Sequence, residues 1–238
     1  MHINQPGRHV LTRTRQPELM DDPALDAQLH RHALRGLARL NAASFAAESI
    51  WRELRRVMPT AGQIRLLDVA TGSGDVPLAM HRLAERDGVK INLTLCDISR
   101  QALDLAQARA EQAHITIETI EMDVVAGELP GGFDAATCSL FLHHLDADDV
   151  SLVLARLSAA ATHGVVSDLC RSRRGLALAA VASRTMTRSR IVHTDAVLSA
   201  RAAWTTGEAL DHAERAQIAN ARVRSVFPCR FILSWSKT

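Results

Sequence analysis

The chain has 238 residues, 47% of them hydrophobic, which is enough for a large core built from Leu, Val, Ile and Ala, since aromatics make up 3% and Tyr is absent. A formal net charge of +2 excludes a general grip on nucleic acid, which needs a concentrated basic face. The length fits one doubly wound sheet with additions, and four widely spaced cysteines without a Cys-x-x-Cys speak against structural zinc and for a reducing, cytoplasmic setting with no metal site.

Residues 1–16 are polar and Arg-containing, with no apolar h-region, and no stretch approaches eighteen uninterrupted apolar residues. Neither secretion nor a membrane span is expected, and residues 1–20 read as a mobile arm. Asp22-Pro23 then suits an N-cap followed by proline at the first helical position, with Leu25, Leu29, Ala33, Leu34, Leu37 and Leu40 on one apolar face. A second helix over 42–57 uses Phe45, Ile50, Leu54 and Val57. This 21–58 unit reads as a helical cap on the site, with plain packing or a homodimer contact equally open.

The core, 60–170, opens with a strand (Ile64, Leu66, Leu67, Val69), a tight loop and a helix carrying Val76, Leu78, Ala79 and Leu83. Gly72 and Gly74 allow positive φ and close approach of a ligand to the backbone, and the helix start offers N–H groups to an anion. A dinucleotide fingerprint requires Gly or Ala where this chain has Pro77. Asp68 and Asp75 flank the glycines, which disfavours a pyrophosphate and suits a cofactor with a sulfonium and an ammonium, S-adenosylmethionine. A plain strand-to-helix turn would use the same glycines.

Strand two, 93–96, ends at Asp97, 23 positions after Gly74 and close to the spacing at which a carboxylate reaches ribose hydroxyls. The alternative is that Asp97 only caps the helix bearing Ala102, Leu103, Leu105, Ala106 and Ala110. Strand three, 115–120, leads to Asp123 and Val124, placed to meet an adenine by side chain and backbone. After a Gly/Pro-rich loop, strand four runs from Phe133 to Ser139, and His143 and His144 follow it. Strand five spans 164–169.

Leu67 to Asp75, Asp97-Ile98-Ser99, Asp123-Val124, and Phe133 to Ser139 with Leu142-His143-His144-Leu145 together resemble the class I S-adenosylmethionine-dependent methyltransferases, in the ubiquinone/menaquinone C-methylase-like branch. The resemblance covers about 60–170. It implies an α/β fold, a doubly wound Rossmann-like sheet of seven strands with the last antiparallel. It also implies cofactor contacts from Asp68, Ala70, Gly72, Ser73, Gly74, Asp97, Ile98, Asp123, Val124 and Ser139. Ala161-Thr162-His163-Gly164 replaces the usual Pro-Gly-Gly turn, and the missing Tyr removes the N-terminal signature of the quinone enzymes.

Residues 171–204 exceed what a minimal sheet requires. They read as a helical lid inserted after strand five, with Arg171, Arg190 and Trp204 as acceptor contacts, or alternatively as a solvated basic helix. A helix over 207–219 and strands near 221–226 and 230–236 close the final segment, 205–238. The expected chemistry is methyl transfer to a small-molecule acceptor, phenolic or polyketide-like, at oxygen. His143 or His144 serves as general base, with His193 or Asp168 as partner. C-methylation of a quinone-like ring, an NAD(P)-dependent oxidoreductase and an inactive cofactor-binding partner subunit are the alternatives.

Overall fold

The computed structural model describes residues 11–21, 24–58 and 62–237. Its centre is a seven-stranded sheet of β1 (Gln63–Val69), β2 (Lys90–Asp97), β3 (Ile117–Glu121), β4 (Phe133–Ser139), β5 (Ala161–Leu169), β6 (Arg222–Val226) and β7 (Arg230–Ser236), in the order β3-β2-β1-β4-β5-β7-β6. β1 pairs in parallel with β2 and β4, and β4 with β5, whereas β7 runs antiparallel to both β5 and β6. The central strands are buried on both faces, so their sequences read as nearly continuous apolar runs rather than alternating ones.

Alternate residues of each strand feed two separate cores. Leu66, Ala135, Val165 and Ile232 meet α2 (Ala46–Val57), α3 (Asp75–Arg86) and α4 (Arg100–Gln112). Leu67, Val69, Ala136, Val166, Phe231 and Leu233 meet α5 (Ala147–Ala160) and α8 (Thr206–Arg215). The departure noted at 161–164 has a packing reason. Gly164 lies opposite Trp235, and a Cβ on it would stand 2.0 Å from the indole ring, so only glycine lets the ring lie across β5.

Several element ends differ from the sequence expectation, and local capping accounts for them. β3 starts at Ile117 because α4 closes through His114 at φ +56°, with the Ile115 N–H returning to the Ala110 carbonyl at 2.9 Å. The last helix ends at Arg215 for a similar reason, with Gln217 at φ +56° and the Ile218 N–H on the Ala213 carbonyl. β5 begins earlier than expected, since Ala161 and His163 already pair with β4. Helix α1 (Ala27–Ala43) is capped by Asp26, which accepts from Gln28 and Leu29 N–H; the expected Asp22-Pro23 cap lies outside the described residues. Of its predicted apolar face Ala33 and Leu34 are buried, but Leu29 is exposed, as is Phe45 of the second helix's face, which stands in the turn before α2.

Two helices, α6 (Arg173–Met186) and α7 (Arg190–Ala202), occupy the insertion after β5 and pack on each other and on α1. The expected mobile arm lies partly outside the described residues, and its described part is tied down. The Arg13 guanidinium donates to the carbonyls of Ala202 and Leu145, Arg171 donates to the Leu11 carbonyl, and Asp195 accepts the main-chain N–H groups of Leu19 and Met20. Residues 11–21 thus form a strap across the edge of the sheet where the parallel strands end.

Candidate active site

The parallel strands β1, β2, β4 and β5 all end at that edge, and the order reverses between β1 and β4, where open α/β sheets leave a crevice for ligands. Ala70 and Leu140, just beyond the ends of β1 and β4, both adopt left-handed conformations, at φ +53° and +56°. Non-glycine residues hold that region only where surroundings enforce it, and such strain clusters at functional sites.

On the β1–β2 side, Asp97 accepts the Gly72 N–H at 2.7 Å and the Ser99 N–H at 2.9 Å, one on each carboxylate oxygen. This fixes the carboxylate at the mouth of the glycine loop and leaves lone pairs on both oxygens for hydroxyl donors. Gly72, at φ +56°, has nothing within 4 Å of where a Cβ would stand, so the loop has open space for a ligand above it. Gly74 is required for another reason: a Cβ there would stand 2.9 Å from Ala106 of α4. Asp68 is buried, with the Thr137 hydroxyl donating to it at 2.5 Å, and burial pushes its carboxyl up to about 7. Ile98 is exposed beside Asp97, and the buried Ser139 hydroxyl has no partner. This donor set, two carboxylates and an open glycine cradle, fits a cationic adenosyl cofactor.

Three of the expected cofactor contacts have partners within the chain. The Ser73 hydroxyl accepts from Arg109 of α4 at 2.7 Å, which fastens the loop to that helix. Asp123 is exposed and accepts the Val125 N–H in a tight turn, and Val124 is buried with its carbonyl taken by Arg156.

Beside this cradle lies a cavity of about 320 Å³, walled by α1, α6 and α7, the strap, the ends of β4 and β5 and the turn before β7. Its lining is mostly apolar, with Leu37, Leu40, Leu178, Ala182, Met186 and Val192 among the wall residues. His143 and His144 enter it from a 3-10 turn over Leu142–His144. His143 is buried. Its main-chain N–H donates to Asp168 Oδ2 at 3.0 Å, and its Nδ1 stands 2.7 Å from Asp168 Oδ1, so one carboxylate fixes both the backbone and the ring. The other ring nitrogen, Nε2, points toward the strap and stands 3.6 Å from Glu18 Oε1. Burial alone would lower the His143 pKa, but Asp168 and Glu18 outweigh it and raise it to about 10. His144 Nε2 is 4.0 Å from the other Glu18 oxygen.

Asp168 is therefore the partner of the histidine, and His193 is not: its Nε2 meets the Thr187 carbonyl at 2.8 Å, away from the cavity lining. The three expected acceptor contacts are also corrected. Arg171 is buried in an ion pair with Glu208 at 2.7 Å and binds the Ala203 carbonyl; Trp204 donates to the Leu142 carbonyl beneath a stacked Arg13; Arg190 is exposed at the start of α7. None of the three lines the cavity. Glu18, Asn41 and Arg230 do line it and were missed. Glu18 sat in a polar stretch without periodicity, and nothing local distinguishes Arg230 from a surface arginine at a strand start.

Residues 66–164 match a family described as a methyltransferase domain. The chain is 32% identical over 133 residues to a ubiquinone biosynthesis O-methyltransferase of Albidiferax ferrireducens, an alignment covering 54% of this chain and 50% of that protein. It is also 32% identical over 91 residues to a ubiquinone/menaquinone biosynthesis C-methyltransferase of Rhodopseudomonas palustris, covering 37% and 35%. The chain thus spans half or less of the length of these curated relatives. Among solved structures, the apo S-adenosylmethionine-dependent methyltransferase SibL superposes with a TM-score of 0.67 at 18% identity, covering 97% of this chain and 64% of that one. No helix among the described residues is long and apolar enough to cross a membrane.

Proposed function

Given that residues 66–164 belong to the class I S-adenosylmethionine-dependent methyltransferases, we propose that the protein methylates an oxygen of a small, largely apolar acceptor of phenolic or polyketide-like type. The observation that carries this reading is the His143–Asp168 pair, whose second ring nitrogen, Nε2, stands beside Glu18 at an apolar cavity on the same edge of the sheet as the glycine loop. The cofactor, when bound, supplies an already activated methyl group on a sulfonium. What the chain must do is orient the acceptor, keep water out and take a proton.

Each task has residues suited to it. Asp97 and the glycine loop hold the adenosyl end, and Asp68 offers a buried carboxylate to a cationic end. Leu37, Leu40, Leu178 and Met186 exclude water around an acceptor ring. His143 takes the acceptor's hydroxyl proton on Nε2, and Asp168 holds the ring by Nδ1 and stabilises the imidazolium. Asp168 and Glu18 raise its conjugate acid to about 10, so the ring accepts a proton from a phenol, whose own pKa is about 10, only after losing its own, which favours alkaline pH. Helices α6 and α7 serve as the lid over the acceptor, and free cysteines at four positions support a reducing compartment.

Similarity to a ubiquinone/menaquinone biosynthesis C-methyltransferase supports C-methylation of a quinone-like ring as the second reading. The test is turnover: purified protein, S-adenosylmethionine and a panel of phenols and dihydroxy-aromatic compounds, with products separated by mass spectrometry into O-methyl ethers and ring-methylated compounds. O-methyl ethers support the proposal, ring-methylated products the second reading. Absence of any product, with cofactor binding intact, would support an inactive partner subunit.

A further inference from the structure

Arg230 opens β7 directly opposite Leu169, one register step from Asp168 and Phe231. Its side chain is buried, with 4% of its surface exposed, and it lines the acceptor cavity. Among the described residues its side-chain hydrogen-bond partner is neutral: Nη2 donates to Asn41 Oδ1 at 3.0 Å, and Asn41 in turn donates to Asp75. Nη1 has no hydrogen-bond partner, and among the described residues no carboxylate stands within ion-pair distance of this guanidinium. Burial works against the charged guanidinium, Asp168 and Asp75 favour it only from beyond ion-pair distance, and an unmade hydrogen bond on it adds to the cost.

The acidic groups around the cavity are differently placed, because each is already engaged. Asp168 holds His143, Glu18 takes the Ser199 hydroxyl and faces His143, and Asp195 accepts two main-chain N–H groups. Among the lining residues an unmade charged hydrogen-bond donor is found at Arg230. Its planar fork suits a carboxylate. The glycine loop and Asp97 do not line this cavity, so the unpartnered nitrogen belongs to the acceptor side.

We propose that Arg230 is an anion subsite for the acceptor, which is therefore a hydroxylated aromatic or polyketide-like acid whose carboxylate rests on the guanidinium while its hydroxyl meets His143. Asn41 is the positioning residue that aims the fork and links it to Asp75 at the start of α3. The substrate class deepens the methyl-transfer reading and rests on it. The subsite itself is tested by binding alone.

The experiment is calorimetric titration of 2-naphthoate and its neutral counterpart 2-naphthalenemethanol into protein saturated with S-adenosylhomocysteine, for the wild type, Arg230→Gln and Arg230→Lys. The acid binds and the alcohol does not compete with it; Arg230→Gln weakens the acid on the order of 30-fold or more and Arg230→Lys restores part of the loss. Equal binding of acid and alcohol, binding of neither, or an unchanged acid affinity in Arg230→Gln overturns the subsite. So does a loss of S-adenosylhomocysteine affinity in Arg230→Gln, which would assign the guanidinium to the cofactor's own carboxylate. The comparison of acid with alcohol on the wild type decides the matter even where the glutamine variant fails to fold. Acid binding in this titration, together with no product from S-adenosylmethionine and the phenol panel, would leave the subsite standing and remove the enzymatic reading.

Discussion

Asp168 and His143 are joined twice, through the imidazole Nδ1 at 2.7 Å and through the main-chain N–H at 3.0 Å. The second bond matters as much as the first, because it fixes the 3-10 turn that carries the ring and so sets where Nε2 points. His143→Ala is expected to lower turnover by about 10²–10⁴-fold with cofactor affinity nearly unchanged. Steady-state kinetics beside a cofactor titration decide the point. Near-normal turnover in both His143→Ala and His144→Ala would remove the general base and leave positioning as the whole of catalysis.

The pH dependence follows from the charges around that ring. His143 is raised from 6.5 to about 10, against its burial, by Asp168 and Glu18. The neutral, proton-accepting form therefore grows as pH rises beyond neutrality, and kcat/KM is expected to climb on an acidic limb far above the ordinary histidine value. Glu18→Gln removes one of the two carboxylates and moves that limb downward. A limb unmoved by this change would separate Glu18 from the reacting histidine. For stability the sign is set by the raised folded pKa: the contribution is complete below 6.5 and is lost as pH rises through about 10.

Asp68 carries the opposite kind of shift, a carboxyl pushed up to about 7 by burial. Ionised Asp68 costs folding stability increasingly as pH rises from 3.8 through 7, so the group is kept for something other than stability. A cation beside it favours the ionised form. Affinity for S-adenosylmethionine is accordingly expected to fall as pH drops below 7, with about one proton released on binding, and Asp68→Asn should flatten that dependence. Proton release is measured by titration in two buffers of different ionisation enthalpy; none at pH below 7 would place the cation elsewhere.

Gly164→Ala is expected to destabilise the fold, because the new methyl group would overlap the Trp235 ring. Overpacking of this kind costs about 1–3 kcal/mol. Denaturant unfolding reads it directly, and the double variant with Trp235→Leu should recover part of the loss. An unchanged midpoint would mean that the ring repacks freely.

What the sequence displayed and what it hid divide along physical lines. The strands buried on both faces announce themselves as apolar runs, and Asp97 after β2 and the glycines after β1 stand where chain-local geometry puts them. The strap could not be read this way. Residues 11–21 have no periodicity, and what holds them is a set of contacts with Leu145, Arg171 and Asp195, more than a hundred positions away in the chain. The arginines of the insertion show the same limit in reverse. Arg171 and Arg190 look alike in sequence, yet one is locked onto Glu208 and the other is exposed, while Arg230, inconspicuous at the end of the chain, reaches the cavity.

The central claim is that the crevice beside Asp97 holds an adenosyl cofactor, and calorimetric titration of S-adenosylhomocysteine into the wild type and Asp97→Ala, with NADH as the competing ligand, tests it most directly. The account predicts micromolar binding of S-adenosylhomocysteine that is lost in the variant, and no binding of NADH. Binding of NADH, or an S-adenosylhomocysteine affinity that ignores Asp97, would contradict it.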